Sequence, residues 1–248
     1  MKNKVIKCLS CGGVLDIGEN ISQCKCSYCG SVNLFKKEGK VELLDVNTVL
    51  KKGGRYEGNG HDGKAMELYD NFLQANPNEP LVLLARALIS LIDSPNDDFN
   101  MELFETYFNK GINAAKDKKM DALDFLMYQF RKYTIPSMCV WQSYAYDKLK
   151  ETDRRAAKKR MASNMLLLFE IQNRISELVE NATFEKLSKS YIEEYKEFQN
   201  SIVKFGNDLL EYTELYGLRY GLSNRMAINR SIADAKIRYR QFTKKYGK

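Results

Sequence analysis

The chain has 248 residues, 44% of them hydrophobic, which is enough to bury a substantial core and too apolar for a disordered chain. No run approaches the roughly 18 to 20 apolar residues that a membrane span needs, and Met1 to Cys8 hold no apolar stretch of signal-peptide length, so a cytoplasmic globular protein without a membrane segment is expected. The net charge of +7 is concentrated: from Leu222 to Lys248 eight Lys and Arg face one acid, Asp234, and the rest of the chain balances.

Five of the six cysteines fall between positions 8 and 29, the clustering expected of thiolates on a metal in a reducing compartment. Cys139 stands apart and reads as a small buried apolar residue. Cys8-Leu9-Ser10-Cys11-Gly12 and Cys26-Ser27-Tyr28-Cys29-Gly30 repeat one device, Cys-x-x-Cys-Gly, with 14 residues between Cys11 and Cys26. Two thiolates three positions apart on a tight turn can grip one tetrahedral ion, and the glycine permits the left-handed backbone that closes the turn. Val14 to Ile17 and Ile21 to Lys25 read as a short β-hairpin, and Val32 to Phe35 as a third strand.

Residues 5–36 resemble the zinc-ribbon family. The resemblance implies one structural zinc ion on Cys8, Cys11, Cys26 and Cys29. Cys24 departs from the pattern and could replace Cys26 only through a Cys-x-x-x-x-Cys knuckle. Four thiolates fill a tetrahedral shell and leave no position for a catalytic water, so the expected role of the metal is folding. The expected domain spans are 1–36 for the ribbon and 37–45 for a linker.

Residues 46–117 are expected to form helical hairpins. Gly53-x-x-Tyr56, Ala65-x-x-x-Tyr69 and Pro77, with Phe72 and Leu73 on the same side, resemble one tetratricopeptide repeat, in which small residues let two antiparallel helices approach. Val49 and Lys52 stand where that motif prefers Trp and Leu. A second hairpin is expected from Pro80 to Ile92 and from Asn100 to Ala115, joined by the polar loop Asp93 to Asp98. A ribbon followed by such repeats resembles a group of bacterial proteins of unassigned function, and implies a scaffold or adaptor that holds a protein partner.

Residues 118–248 form the last expected region. Lys119 to Tyr133 reads as a helix broken at Pro136, and a further helix starts at Met138. Glu151 to Arg160 is polar all round, either a solvated helix segment or a bend. Three apolar seams then follow at spacings of four and three, one of them Tyr191, Tyr195, Phe198, Ile202, Phe205, Leu209, Tyr212 and Tyr216. They predict a long antiparallel three-helix bundle whose middle helix, capped near Thr183, has about 33 residues and a length near 50 Å. Its tyrosines are expected in the core with their hydroxyls at the bundle edge. The fold class is therefore mainly α with a small N-terminal β ribbon, and the long helices offer a surface for homo-oligomerisation.

The single histidine, His61, lies in a glycine-rich turn, and neither a phosphate-cradling loop nor a nucleophile elbow occurs, so an enzyme is not expected. The leading expectation is a zinc-binding protein that engages a protein partner. The alternative is nucleic-acid binding through Arg225, Arg230, Lys236, Arg238, Arg240, Lys244 and Lys245, helped by the run Arg154, Arg155, Lys158, Lys159 and Arg160. Against it stands pairing of these cations with acids on the neighbouring helix, such as Glu211 and Glu214.

Overall fold

A computed structural model describes residues 7–8, 11–15, 23–35, 41–91, 100–136, 154–184, 187–215 and 222–246. The chain divides into two compact units: one holds Met1–Ile89 and Glu105–Ala115, the other Ser90–Phe104 and Lys116–Lys248. The protein is mainly helical, with a small antiparallel sheet near its N-terminus.

In the first unit the sheet has three strands in the order β1 (Gln23–Lys25), β2 (Val32–Phe35) and β3 (Val41–Leu44). Cys24 pairs with Asn33, and Asn33 with Leu43, so Asn33 sits at the centre of the sheet. Two expectations change here. Val14 does not pair with β1 but bridges Lys7 across the first knuckle, the expected hairpin turn lying outside the described residues. Val41–Leu44, expected in the linker, is a strand; four residues carry too little pattern to announce one, and it is the pairing with β2 that defines it.

Helix α1 (Val46–Gly58) starts at Asp45, whose carboxylate accepts from the Thr48 amide at 2.7 Å. Helix α2 (Asp62–Ala75) returns against it and stops two residues short of Pro77. The hydroxyl end of Tyr69 of α2, 2% exposed, comes so close to Gly53 of α1 that a side chain there would collide with it. Helices α3 (Pro80–Ser90) and α4 (Met101–Ala115) follow the expected bounds, with Asn100 capping α4 through a 3.1 Å bond from the Leu103 amide. Every residue of α3 from Val82 onward is buried. Its one charge, Arg86, is matched: Nε donates to Asp70 at 2.9 Å, Tyr107 donates to the same carboxylate at 3.2 Å, and the guanidinium stands over the Tyr107 ring.

In the second unit α5 (Lys119–Gln129) runs on into a π-helical turn, Phe130–Thr134. The helix beginning at Met138, with Cys139, lies outside the described residues. Helices α6 (Arg154–Glu180), α7 (Lys189–Leu215) and α8 (Leu222–Tyr246) are the three long helices, and the polar run before Met161 is helix from Arg154, not a bend. The middle helix is described over 27 residues, about 40 Å, and starts later than expected. Its cap is Ser188, whose hydroxyl accepts from the Tyr191 amide at 3.1 Å, and not Thr183. The seam from Tyr191 to Leu209 is buried at every position. Contacts of Phe169 with Phe205, Gln199 with Ser176, and Tyr195 with Phe242 set α7 antiparallel to both neighbours. Helix α5 packs on α6 and α7 as well, so the three long helices have a fourth beside them.

The hydroxyls of Tyr191 and Tyr195 do not reach the edge as expected. Tyr195 is buried and donates to Glu180 at 3.1 Å; burial and that carboxylate push its phenol pKa up. Arg131 closes a bidentate pair with Glu194 of α7 at 3.0 and 2.7 Å.

Candidate metal centre

The two knuckles are built alike, bond for bond. The Cys8 amide donates to the Gly13 carbonyl at 2.7 Å and the Gly12 amide to the Cys8 carbonyl at 2.9 Å; Cys26 to Ser31 at 2.8 Å and Gly30 to Cys26 at 2.9 Å repeat both. Gly12 and Gly30 take φ of +75° and +74°, the left-handed geometry foreseen for them. The four thiols of the two turns come together.

The result is one cluster of Cys8, Cys11, Cys26 and Cys29, whose sulfurs all lie within 4.8 Å of one another. Cys8 and Cys29 are 3.6 Å apart, Cys11 and Cys26 3.7 Å. A tetrahedral ion with metal–sulfur bonds of about 2.3 Å needs sulfurs about 3.8 Å apart, so the four fit such an ion, and soft thiolates select zinc or iron over magnesium or calcium. Cys24 is not a member of the cluster. It is half-buried and packs against Cys8, Leu15 and Cys26 from the strand side.

Without a cation, four thiols so close cannot all ionise. At Cys11 the Gly13 amide pulls the thiol down, but its contacts with the other three sulfurs outweigh that and push it up to about 12. The hydroxyl and amide of Ser31, with Ser31 Oγ 3.2 Å from the sulfur, hold Cys29 below the usual thiol range. A bound cation replaces the protons that this crowding retains.

Two residues of the site escaped the sequence reading. Asn33, fully buried, donates from Nδ2 to Cys8 Sγ at 3.4 Å and to the Ser31 carbonyl at 3.1 Å, bracing one ligand and the second knuckle together. Its only signal in sequence is an amide between Val32 and Leu34. Tyr28, at the tip of the second knuckle, is 74% exposed. Its ring rests on Gly13, where a Cβ would stand 2.6 Å from it, and is otherwise open to solvent. Val14, beside Gly13, is 52% exposed.

The remaining candidates separate by their partners. Arg225 pairs with Glu214 of α7. Arg238 is drawn into the helix interface, with Nε 3.1 Å from Glu180 and Nη1 3.4 Å from Ser176 of α6. Arg230 reaches only Asp234 on its own helix, at 3.9 Å, and Lys245 stands over the Tyr246 ring. Lys236, Arg240 and Lys244 are exposed, with no carboxylate partner among the described residues. In the other basic run, Lys159 and Arg160 are exposed and Lys158 half-buried, while the side chains of Arg154 and Arg155 lie outside the described residues. His61 is exposed at the start of α2. No helix among the described residues is long and apolar enough to cross a membrane.

Comparison of the chain with protein-family models, with curated proteins and with solved structures finds no match.

Proposed function

We propose that the protein is a non-enzymatic adaptor of the cytoplasm, whose Cys8, Cys11, Cys26 and Cys29 hold one structural zinc ion in a zinc ribbon, and which engages a protein partner through that ribbon and the tetratricopeptide-like hairpins beside it. The observation that carries this reading is Tyr28, an aromatic ring resting on Gly13 and presented to solvent next to the exposed Val14. A large apolar side chain that is already ordered loses little entropy on binding, which is why rigid aromatics serve as anchors at interfaces. The metal supports the same reading: with all four positions taken by thiolate, its chemistry is to hold the two knuckles in register.

The test compares zinc-loaded full chain with a zinc-loaded Val14→Ser, Tyr28→Ser variant as bait in quantitative affinity capture. A protein held in stoichiometric amount by the first and lost from the second supports the reading. A partner held equally by both, or none held by either, overturns it.

A further inference from the structure

The seven basic residues of α8 do not form one surface. Arg225 and Arg238, on its flanks, are neutralised by Glu214 and by Glu180. Arg230 and Lys245 have partners on α8 itself. What remains is Lys236, Arg240 and Lys244, spaced four residues apart, exposed and without a carboxylate partner among the described residues. Four residues of helix advance about 6 Å and turn about 40° past one full turn, so the three charges form a slanting row about 12 Å long within a sector of about 80°. Asn229 and Ala233 continue the row toward the N-terminus of α8, both exposed and both uncharged, leaving nothing negative along it.

We propose that this row is a binding site for the phosphate backbone of a nucleic-acid strand, read by charge and spacing without base recognition. Cations at intervals of one helical turn match a ligand that carries its negative charges at regular short intervals. A membrane surface is the poorer fit, because the residues that could enter it point the other way. Ile228, Ile232 and Phe242 are buried, and Tyr239 and Tyr246 are half-buried. Among the described residues of α8 the exposed large apolar side chains are Met226 and Ile237, short of the continuous apolar face that an interfacial helix inserts.

The inference is independent of the adaptor reading, since it uses another unit of the chain and another class of ligand. It is tested on the full-length, zinc-loaded protein with a fluorescein-labelled oligothymidylate and a labelled random duplex, titrated from low to physiological salt. Three phosphate contacts predict a slope of log K against log salt of about −2 for the single strand. Lys236→Glu, Arg240→Glu, Lys244→Glu together should weaken binding at least about tenfold, with an unchanged thermal melt as the control for folding, whereas Lys236→Arg, Arg240→Lys, Lys244→Arg should retain it. Absence of binding to either oligonucleotide at low salt overturns the proposal. So does equal binding by the charge-reversed protein, or binding confined to anionic phosphatidylserine vesicles or to polyglutamate.

Discussion

The ring of Tyr69 lies on the backbone of Gly53, closer than any side chain at position 53 would allow, and its hydroxyl donates a 2.7 Å hydrogen bond to Glu57 one turn further along α1. Alanine is the better helix former by about 1 kcal/mol, so on propensity alone Gly53→Ala would stabilise α1. Here its methyl would meet the phenol ring of a side chain that is 2% exposed and has nowhere to go. Overpacking of about 1–3 kcal/mol should win, and urea unfolding should place Gly53→Ala below wild type. A midpoint at or above wild type would mean that the two helices are not held at this distance.

Glu57 supplies the second prediction. Burial is the main cause that raises its carboxyl pKa above 4.5; the Tyr69 hydrogen bond opposes it and the charge of Asp62 adds to it. A carboxyl raised in the folded state binds its proton more tightly there than in the unfolded chain, so this group's contribution to stability falls as pH rises from about 4.5 through the raised value. Glu57→Gln keeps an acceptor for Tyr69 and removes the buried charge. It should raise Tm at pH 7 and leave it near wild type at pH 4. Lower stability at pH 7 would show that the charged hydrogen bond outweighs the cost of burial.

Much of the fold was legible because its signals are local. The knuckles announce themselves by spacing, the α7 seam by period, and the approach of α1 and α2 by Gly53 and Tyr69. Strand β3 was not legible, since Val41–Leu44 becomes a strand only by pairing with Val32–Phe35. Nor was the Ser188 cap, for Asn181, Thr183 and Ser188 are all competent caps and tertiary packing chooses among them. At the candidate metal centre the clustering of the four cysteines was readable, but Asn33 and Tyr28 were not, because bracing a sulfur and standing exposed to solvent are properties of three-dimensional position. Pairing of the basic helix with neighbouring acids was expected, but which cations pair was not legible, because that depends on how α8 is rotated against α6 and α7.

The α6–α7 interface carries a reciprocal pair of buried bonds. Gln172 Nε2 of α6 donates to Ser201 Oγ of α7, and Gln199 Nε2 of α7 donates to Ser176 Oγ of α6, each at 2.6 Å. Sliding the helices by one turn would break both, so the pair fixes register where apolar residues alone would tolerate a shift. Ser176→Ala strands the Gln199 amide in the core and should cost about 1–3 kcal/mol in denaturant unfolding. Ser176→Ala with Gln199→Leu removes both partners and should recover most of that loss. If the double variant is as unstable as the sum of its parts, the two residues are not coupled.

The last prediction concerns Asn33, which reaches the metal centre from the middle of the sheet. Its amide donates to Cys8 Sγ and to the Ser31 carbonyl, so it stabilises negative charge on one ligand while tying down the turn that carries Cys26 and Cys29. Both effects favour the thiolate form that a metal requires. Asn33→Leu fills the same buried volume without the donor, and should weaken zinc affinity by about 10- to 100-fold in competition with a chromophoric chelator. Cys8→Ser, which removes a ligand outright, should reduce binding further. On the proposed structural role for the metal, full chelation should unfold the two cysteine turns, seen as exposure of their thiols to a thiol reagent. The helices α6, α7 and α8 owe nothing to the metal, so most of the helical circular dichroism should survive chelation. Affinity unchanged in Asn33→Leu would restrict Asn33 to a role in the sheet, and collapse of the helical signal on chelation would mean that the metal supports far more of the chain than its own two knuckles.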